Sequence, residues 1–490
     1  EYRFRHALVR EAAYGTLPDN ERRALHRAAA EHLAQTAADP AVVAEHFVHA
    51  GLPACAIPHY RDAARRALDS FENEDCIRWA RRGLSCGAEG ATRGMLLAIE
   101  AGARAASNLY DGVLSSALEA MSLVEPGSWA FCESAGLAIT AALVKSPYNE
   151  RDRVPELVAA MMRIEPHPDA RRTYARMFAL VLTMLCPTAP RVQLEPMFAR
   201  LGAVCDLLAP WDPTARRWLS WASSRVMSLF EPLPWRALQA AEACMHDARL
   251  AGDRYVEHWL LVWDHELQWW LLGDPAAEDR LRAHLQAAIH RQSPILHAAS
   301  TIQLARIACD IGDPEALAQG ARQMRLLAED PRAAAYGIGL AYEHWARIEL
   351  RQGRPAAELA ARGRDALAFA PLYGLGATAT LTRALVAEGR VEDATRVACE
   401  GLAVVAEFGG AGYLEVEMRL AASEAWFAAG DRERARGELA VALEQIRVRA
   451  EDIEDRSWRR SYLTRNADNR RARELSRAWG VADPTAAIDQ

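Results

Sequence analysis

Several groups of residues in this chain have the types that chemistry requires, and each stops short of a site. His265-Glu266 begins like a zinc-protease helix, but the second histidine four positions on is missing, so no imidazole pair shares a face to hold a metal. Lys145 is the sole lysine and stands in Val-Lys-Ser-Pro, without the glycine loop that wraps a nucleotide phosphate. Glu45, His46 and His49 lie close together, yet a helix turns i and i+1 onto different faces and no further ligand follows at zinc spacing. There is no Gly-x-Ser-x-Gly elbow, no His-Arg-Asp and no Asp-Phe-Gly. The many carboxylates stand beside arginines, as solvated helix faces require. The chain therefore reads as non-catalytic, with no metal and no cofactor of its own.

The elements that would position side chains are periodic. From about Tyr255 to Arg449, glycines recur at 273, 312, 353, 389 and 430, spaced 36 to 41 residues apart. Each closes an apolar helical run and is followed by Asp or Arg and a second run. The stretch 421–443 has a small residue at Ser423, an aromatic at Trp426, a turn at Gly430-Asp431, then Ala435, Leu439 and Ala442. It resembles a tetratricopeptide unit. Such a period predicts an all-α fold, a tetratricopeptide-like helical-pair superhelix (α-solenoid), in which each pair buries its apolar face only by stacking on neighbours. The same pattern is visible earlier. Phe47 and Gly51 take the aromatic and turn positions, with Ala56, Tyr60 and Ala63 following, and Cys76, Ala80 and Gly83 stand where small residues belong. Between 125 and 250 twelve prolines blur the register, which predicts shorter helices and longer loops in the same stack.

The tetratricopeptide resemblance also implies which positions face the groove of the superhelix. The middle one holds Leu267, Arg306, Arg347, Arg383 and Glu424 in successive repeats. Three consecutive arginines would form a ladder suited to an extended anionic ligand, with neighbouring helices roughly 10 Å apart. The local alternative pairs Arg347 with Glu343 and Arg306 with Asp310, each four residues apart on one helix. Trp263, Leu267 and Trp270 would extend the groove with an aromatic stripe, although such a stripe also suits a core.

The two ends carry further resemblances. Tyr2–Tyr14 (Tyr-Arg-Phe-Arg-His-Ala-Leu-Val-Arg-Glu-Ala-Ala-Tyr) and Leu17–Leu33 resemble the end of the winged-helix domain of bacterial multidomain signal-transduction ATPases. These are the MalT-like regulators and the Ser/Thr kinase–ATPase fusions. The resemblance implies that His6, in Phe4-x-His6, contacts the phosphates of bound ADP in the full-length protein. Asp19 or Asn20 is expected to cap the following helix, with Leu25, Ala28, Ala29 and Leu33 on one face. Ser457–Leu463 and Asn469–Leu475 resemble the last segment of the same proteins, with Trp458, Tyr462, Leu463, Leu475 and Trp479 supplying a terminal cap. The chain starts without Met inside what reads as a structured element, as a piece of a longer protein would.

The expected organisation is a winged-helix remnant over 1–36, helical repeats over 37–125, irregular repeats over 126–250, regular repeats over 251–450, a helical cap over 451–480 and a disordered tail over 481–490. The resemblance implies a sensor and protein-interaction arm that binds a protein or peptide partner, or a small anionic inducer, and regulates an upstream ATPase module in cis. ATP or ADP and Mg belong to that missing module. Rival readings are a pure scaffold without an inducer, and an effector enzyme with its site in 125–250. A net charge of −7 argues against a nucleic-acid or membrane-surface partner. Nine scattered cysteines and no long apolar run fit a reduced, cytoplasmic setting.

Overall fold

In this computed structural model, residues 14–253 and 294–488 are described, apart from 37, 71, 108, 145–150, 232, 331 and 332. Isolated positions at 11, 256, 257, 260, 279, 282 and 283 are described as well. His6, Trp263, Leu267, Trp270 and the first turn glycine, Gly273, lie outside the described residues. Every regular element among the described residues is a helix. The fold is the expected all-α array of tetratricopeptide-like helical pairs. The turn glycines explain the pairing: Gly312, Gly353, Gly389 and Gly430 have φ between +72° and +85°, a region that costs other residues and ends a helix sharply. Asp313 and Asp431 then cap the next helix by accepting from the backbone N–H of Ala316 and Arg434.

Two compact units divide the chain, Glu1–Ala141 with Arg163–Ala170, and Ala142–Met162 with Arg171–Gln490. The first is built from α1 (Asp19–Ala34), α2 (Pro40–His49), α3 (Pro53–Asp69), α4 (Asn73–Ser85), α5 (Gly90–Ala106) and α6 (Val113–Leu123), with most of α7 (Trp129–Val144). Neighbours in sequence pack together, and α3 also packs on α5. Small residues allow the close approach: Ala64, Ala67, Cys76, Ala80 and Ala103 surround Leu96 and Ile99 in one buried cluster. The start of α1 differs from expectation. The helix begins at Asp19 itself, with Pro18 before it and no side-chain cap, and Leu25 is 57% exposed while Ala30 is buried.

The second unit contains α8 (Val154–Arg163, shared at its last residue), α9 (Arg171–Leu185), α10 (Arg191–Leu208), α11 (Arg217–Phe230) and α12 (Pro234–Ala251). These helices are not shortened by their prolines. Pro155 and Pro234 occupy first-turn positions and Pro190 precedes α10, where a missing N–H costs nothing; Pro196 is the interior exception. Beyond them lie α13 (Pro294–Ile311), α14 (Pro314–Ala328), α15 (Ala335–Arg351), α16 (Ala357–Ala366), α17 (Pro371–Ala387), α18 (Val391–Phe408), α19 (Gly412–Ala428) and α20 (Arg432–Asp452). In this part α13, α15, α17 and α19 pack successively on one another as an inner row, with the intervening helices outside. The short α21 (Arg456–Arg465) and α22 (Ala467–Trp479) follow. Tyr462, Leu463 and Leu475 are buried, and Trp479 stacks flat on Phe427 at 4.2 Å.

This unit also folds back on itself. α11 packs against α19 and α12 against α20. At the junction Gly412, with φ +46°, lies so near the end of α11 that a Cβ there would sit 2.0 Å from the Ser228 carbonyl oxygen. Trp235 meets Trp458 edge to face at 5.8 Å, and Arg236 pairs with Asp452 at 3.1 Å.

Candidate functional site

The inner row of the second unit brings the sequence-equivalent residues Arg306, Arg347, Arg383 and Glu424 together. An inner helix presents residues i, i+3, i+4 and i+7 on one face, so Arg306 and Arg347 have acidic neighbours one turn away, whereas the helix of Arg383 carries no acidic residue. Arg347 donates to Glu343 at 2.8 Å, and Arg306 lies 3.6 Å from Asp310, so both local pairs form. The arginines are also held by residues far away in sequence. All three reach Glu417 on α19: Arg306 at 3.5 Å, Arg383 at 3.6 Å, and Arg347 in close contact. Asp468, near the start of α22, lies 3.4 Å from both Arg306 and Arg383. Arg383 further donates to Glu424 at 3.1 Å, and Arg471 reaches the other oxygen of Glu424 at 2.8 Å.

Burial decides what this cluster can do. The side chains of Arg306 and Glu417 are 9% and 4% exposed, and Arg383 is the most open of the three arginines at 21%. Burial pulls the Arg306 guanidinium down, but Asp310, Glu417 and Asp468 together push it well above its ordinary value. Burial pushes Glu417 up, yet Arg347, Arg306 and Arg383 outweigh that and hold it below the usual carboxylate range. Asp468 goes the other way: burial and then the Glu417 charge raise it, more than Arg383 and Arg306 lower it. Glu343 is raised by burial, despite Arg347. His344 beside it is fully buried and kept neutral by burial and by the nearby guanidiniums. Gly376 makes the packing possible, since a Cβ there would lie 2.5 Å from Glu343 Oε1.

A cavity of about 20 Å³ opens beside Arg306, Glu417 and Asp468, bounded also by Arg449, Tyr462 and Asn469. That is room for about one water molecule, and its walls are polar. The cluster offers no nucleophile next to a base. What it offers is electrostatic: guanidiniums in a row, met by Asp310 and Glu343 on their own helices and by Glu417, Glu424 and Asp468 from α19 and α22.

Sequence reasoning missed Glu417 and Asp468. Glu417 had a signal, because it sits two helical turns before Glu424 and so shares its face. Asp468 had none, since only the packing of α22 brings it to the row. In the region expected to be irregular, Trp218 and Trp221 are core residues, whereas Trp211 is 82% exposed.

No family model matches the chain, and no curated protein matches its sequence. Among solved structures, a Rap protein complexed with Competence and Sporulation Factor is similar at a TM-score of 0.44 and 13% identity, covering 76% of this chain and 99% of that one. Yeast Tom70 follows at a TM-score of 0.28 and 9% identity, covering 96% and 99%. The P58(IPK) TPR domain gives a TM-score of 0.25 and 12% identity, covering 86% and 98%. At these scores and identities the fold rests on the helices of the chain itself.

Proposed function

We propose that this chain is the non-catalytic, protein-interaction arm of a cytoplasmic bacterial signalling ATPase. Its inner row binds an anionic segment of a protein or peptide partner, or a small anionic inducer, and so regulates a nucleotide-binding module encoded upstream. One observation carries the reading of the site. Asp468 belongs to a separate C-terminal segment, yet its carboxylate is seated between Arg306 and Arg383, which are equivalent positions of different repeats. A row that seats Asp468 has the guanidinium geometry to seat an acidic side chain of another segment in its place, with burial and Glu417 raising the pKa of whichever carboxyl sits there. The ATPase connection is supported by the resemblance of Tyr2–Tyr14 and Leu17–Leu33 to the end of a winged helix. ADP, Mg and the His6 contact belong to that part of the proposal.

The pure scaffold is the second reading, favoured by the depth at which Arg306 and Glu417 lie. In it the ion cluster is only a staple between helices. A titration with a glutamate-rich peptide separates the two. If the row is a binding site, Arg383→Gln, the most exposed position, weakens peptide binding by about tenfold at a temperature where circular dichroism shows the variant still folded. Equal affinities for the two proteins, or no binding at all, leave the scaffold. Independently, the coding sequence ahead of Glu1 should specify a Gly-Lys-Ser/Thr phosphate loop, and its absence would remove the ATPase connection.

A further inference from the structure

The first unit holds three imidazoles that sequence spacing could not assemble. His46 and His49 project from adjacent turns of α2, and α1, packed against it, adds His26. The His26 and His46 Nδ1 atoms are 2.8 Å apart. The His26 ring centroid lies 5.0 Å from those of both His46 and His49. On the far side of the His26 ring, Nε2 is 2.7 Å from the Tyr14 hydroxyl.

We propose that His26, His46 and His49 form a binding site for a divalent transition-metal ion of the zinc type. Imidazoles bound tetrahedrally at roughly 2.0–2.1 Å through nitrogen hold their donor atoms about 3.3 Å apart and their ring centroids about 5 Å apart. The His26–His46 and His26–His49 centroid spacings match. The two Nδ1 atoms now share a proton, and among the described residues no three such ligands yet surround a common point. Between His26 and His46 the change required is small. The Nδ1 atoms part by about half an ångström, and His49, which is exposed, turns its ring toward them. Each bound imidazole must be neutral with a bare donor nitrogen. Tyr14 supplies the orientation: when His26 Nε2–H donates to its oxygen, Nδ1 is left bare and faces His46. No proton is lost in the exchange, because the shared Nδ1 proton moves to the outer nitrogen of its own ring. The fourth position would be water. Glu45 is engaged elsewhere, by Tyr60 and Arg82.

The test is calorimetric titration of the untagged full chain with Zn2+ near neutral pH, with Co2+ absorption as a second readout. One equivalent should bind, and Co2+ should show the intense visible bands of a tetrahedral site. His26→Ala and His49→Ala should each weaken binding at least about tenfold, and Tyr14→Phe should weaken it less. Circular dichroism of each variant establishes that it is folded. Absence of binding to the wild type overturns the proposal, as does binding that survives His26→Ala and His46→Ala combined.

Discussion

Two buried arginine clusters in the second unit solve the same electrostatic problem at different ranges. Arg217, 3% exposed, is neutralised mainly by its own neighbourhood: Nη1 donates to the Thr214 carbonyl at 2.8 Å, to the Thr214 hydroxyl at 2.9 Å and to Asp212 at 3.2 Å. Asp253 at 3.2 Å is its more distant partner. The inner-row cluster instead draws on Asp310, Glu343, Glu417, Glu424 and Asp468, so that Arg306 meets residues 111 and 162 positions away. A local box fixes where one helix begins. A remote one ties the inner helices to α22, because Glu417 and Asp468 meet their guanidiniums only when those helices pack together. Taking a partner away from a buried ion cluster costs far more than the pair contributed, since the remaining charge is stranded.

That contrast can be broken by mutation. Glu417→Ala removes the carboxylate shared by three guanidiniums and should cost about 3–5 kcal/mol, read from urea unfolding. A loss below about 1 kcal/mol would mean that the remote cluster is dispensable. Gly412→Ala places a methyl against the Ser228 carbonyl at a positive φ and should cost about 2–4 kcal/mol. Its loss of hydrogen-exchange protection should centre on α11 and α19; protection lost uniformly would deny the junction a separate role.

Arg217→Met keeps the bulk and removes the charge, stranding Asp212 beside Arg172 and Thr214, with an expected loss of about 1–3 kcal/mol. Exchange should rise at 212–221 and not in α13 to α19, and a rise in both would erase the distinction between local and remote.

pH sharpens the comparison further. The raised pKa of Asp468 means that its contribution is present at low pH and lost as pH climbs through its folded value. Glu417, held low, acts in the opposite sense: its contribution is present above its unfolded value and disappears as pH falls through the folded one. Asp468→Asn cannot ionise, so its urea midpoint should decline less than that of the wild type as pH rises from about 4 toward neutrality. Parallel profiles would show that Asp468 does not titrate in the cluster. Finally, Arg447→Ala at the exposed pairs with Glu444 and Glu451 should leave the urea midpoint within error of the wild type.

The glycine period and the apolar faces were enough to establish paired helices, because a helix ends and a face is buried for reasons contained in a few adjacent residues. The local pairs Arg347–Glu343 and Arg306–Asp310 were legible for the same reason. Prolines misled in 125–250, since their number says nothing about whether they fall in a first turn or an interior. A face also shows which way an arginine points without showing what it meets there. Asp468 reached Arg306, and His26 reached His46, only when separate helices packed. Periodicity is a property of one helix at a time, whereas the neutralisation of a buried charge depends on every helix that approaches it. The sequence by itself therefore determined the paired helices and the row of arginines, and the tertiary structure alone decided which carboxylates complete that row.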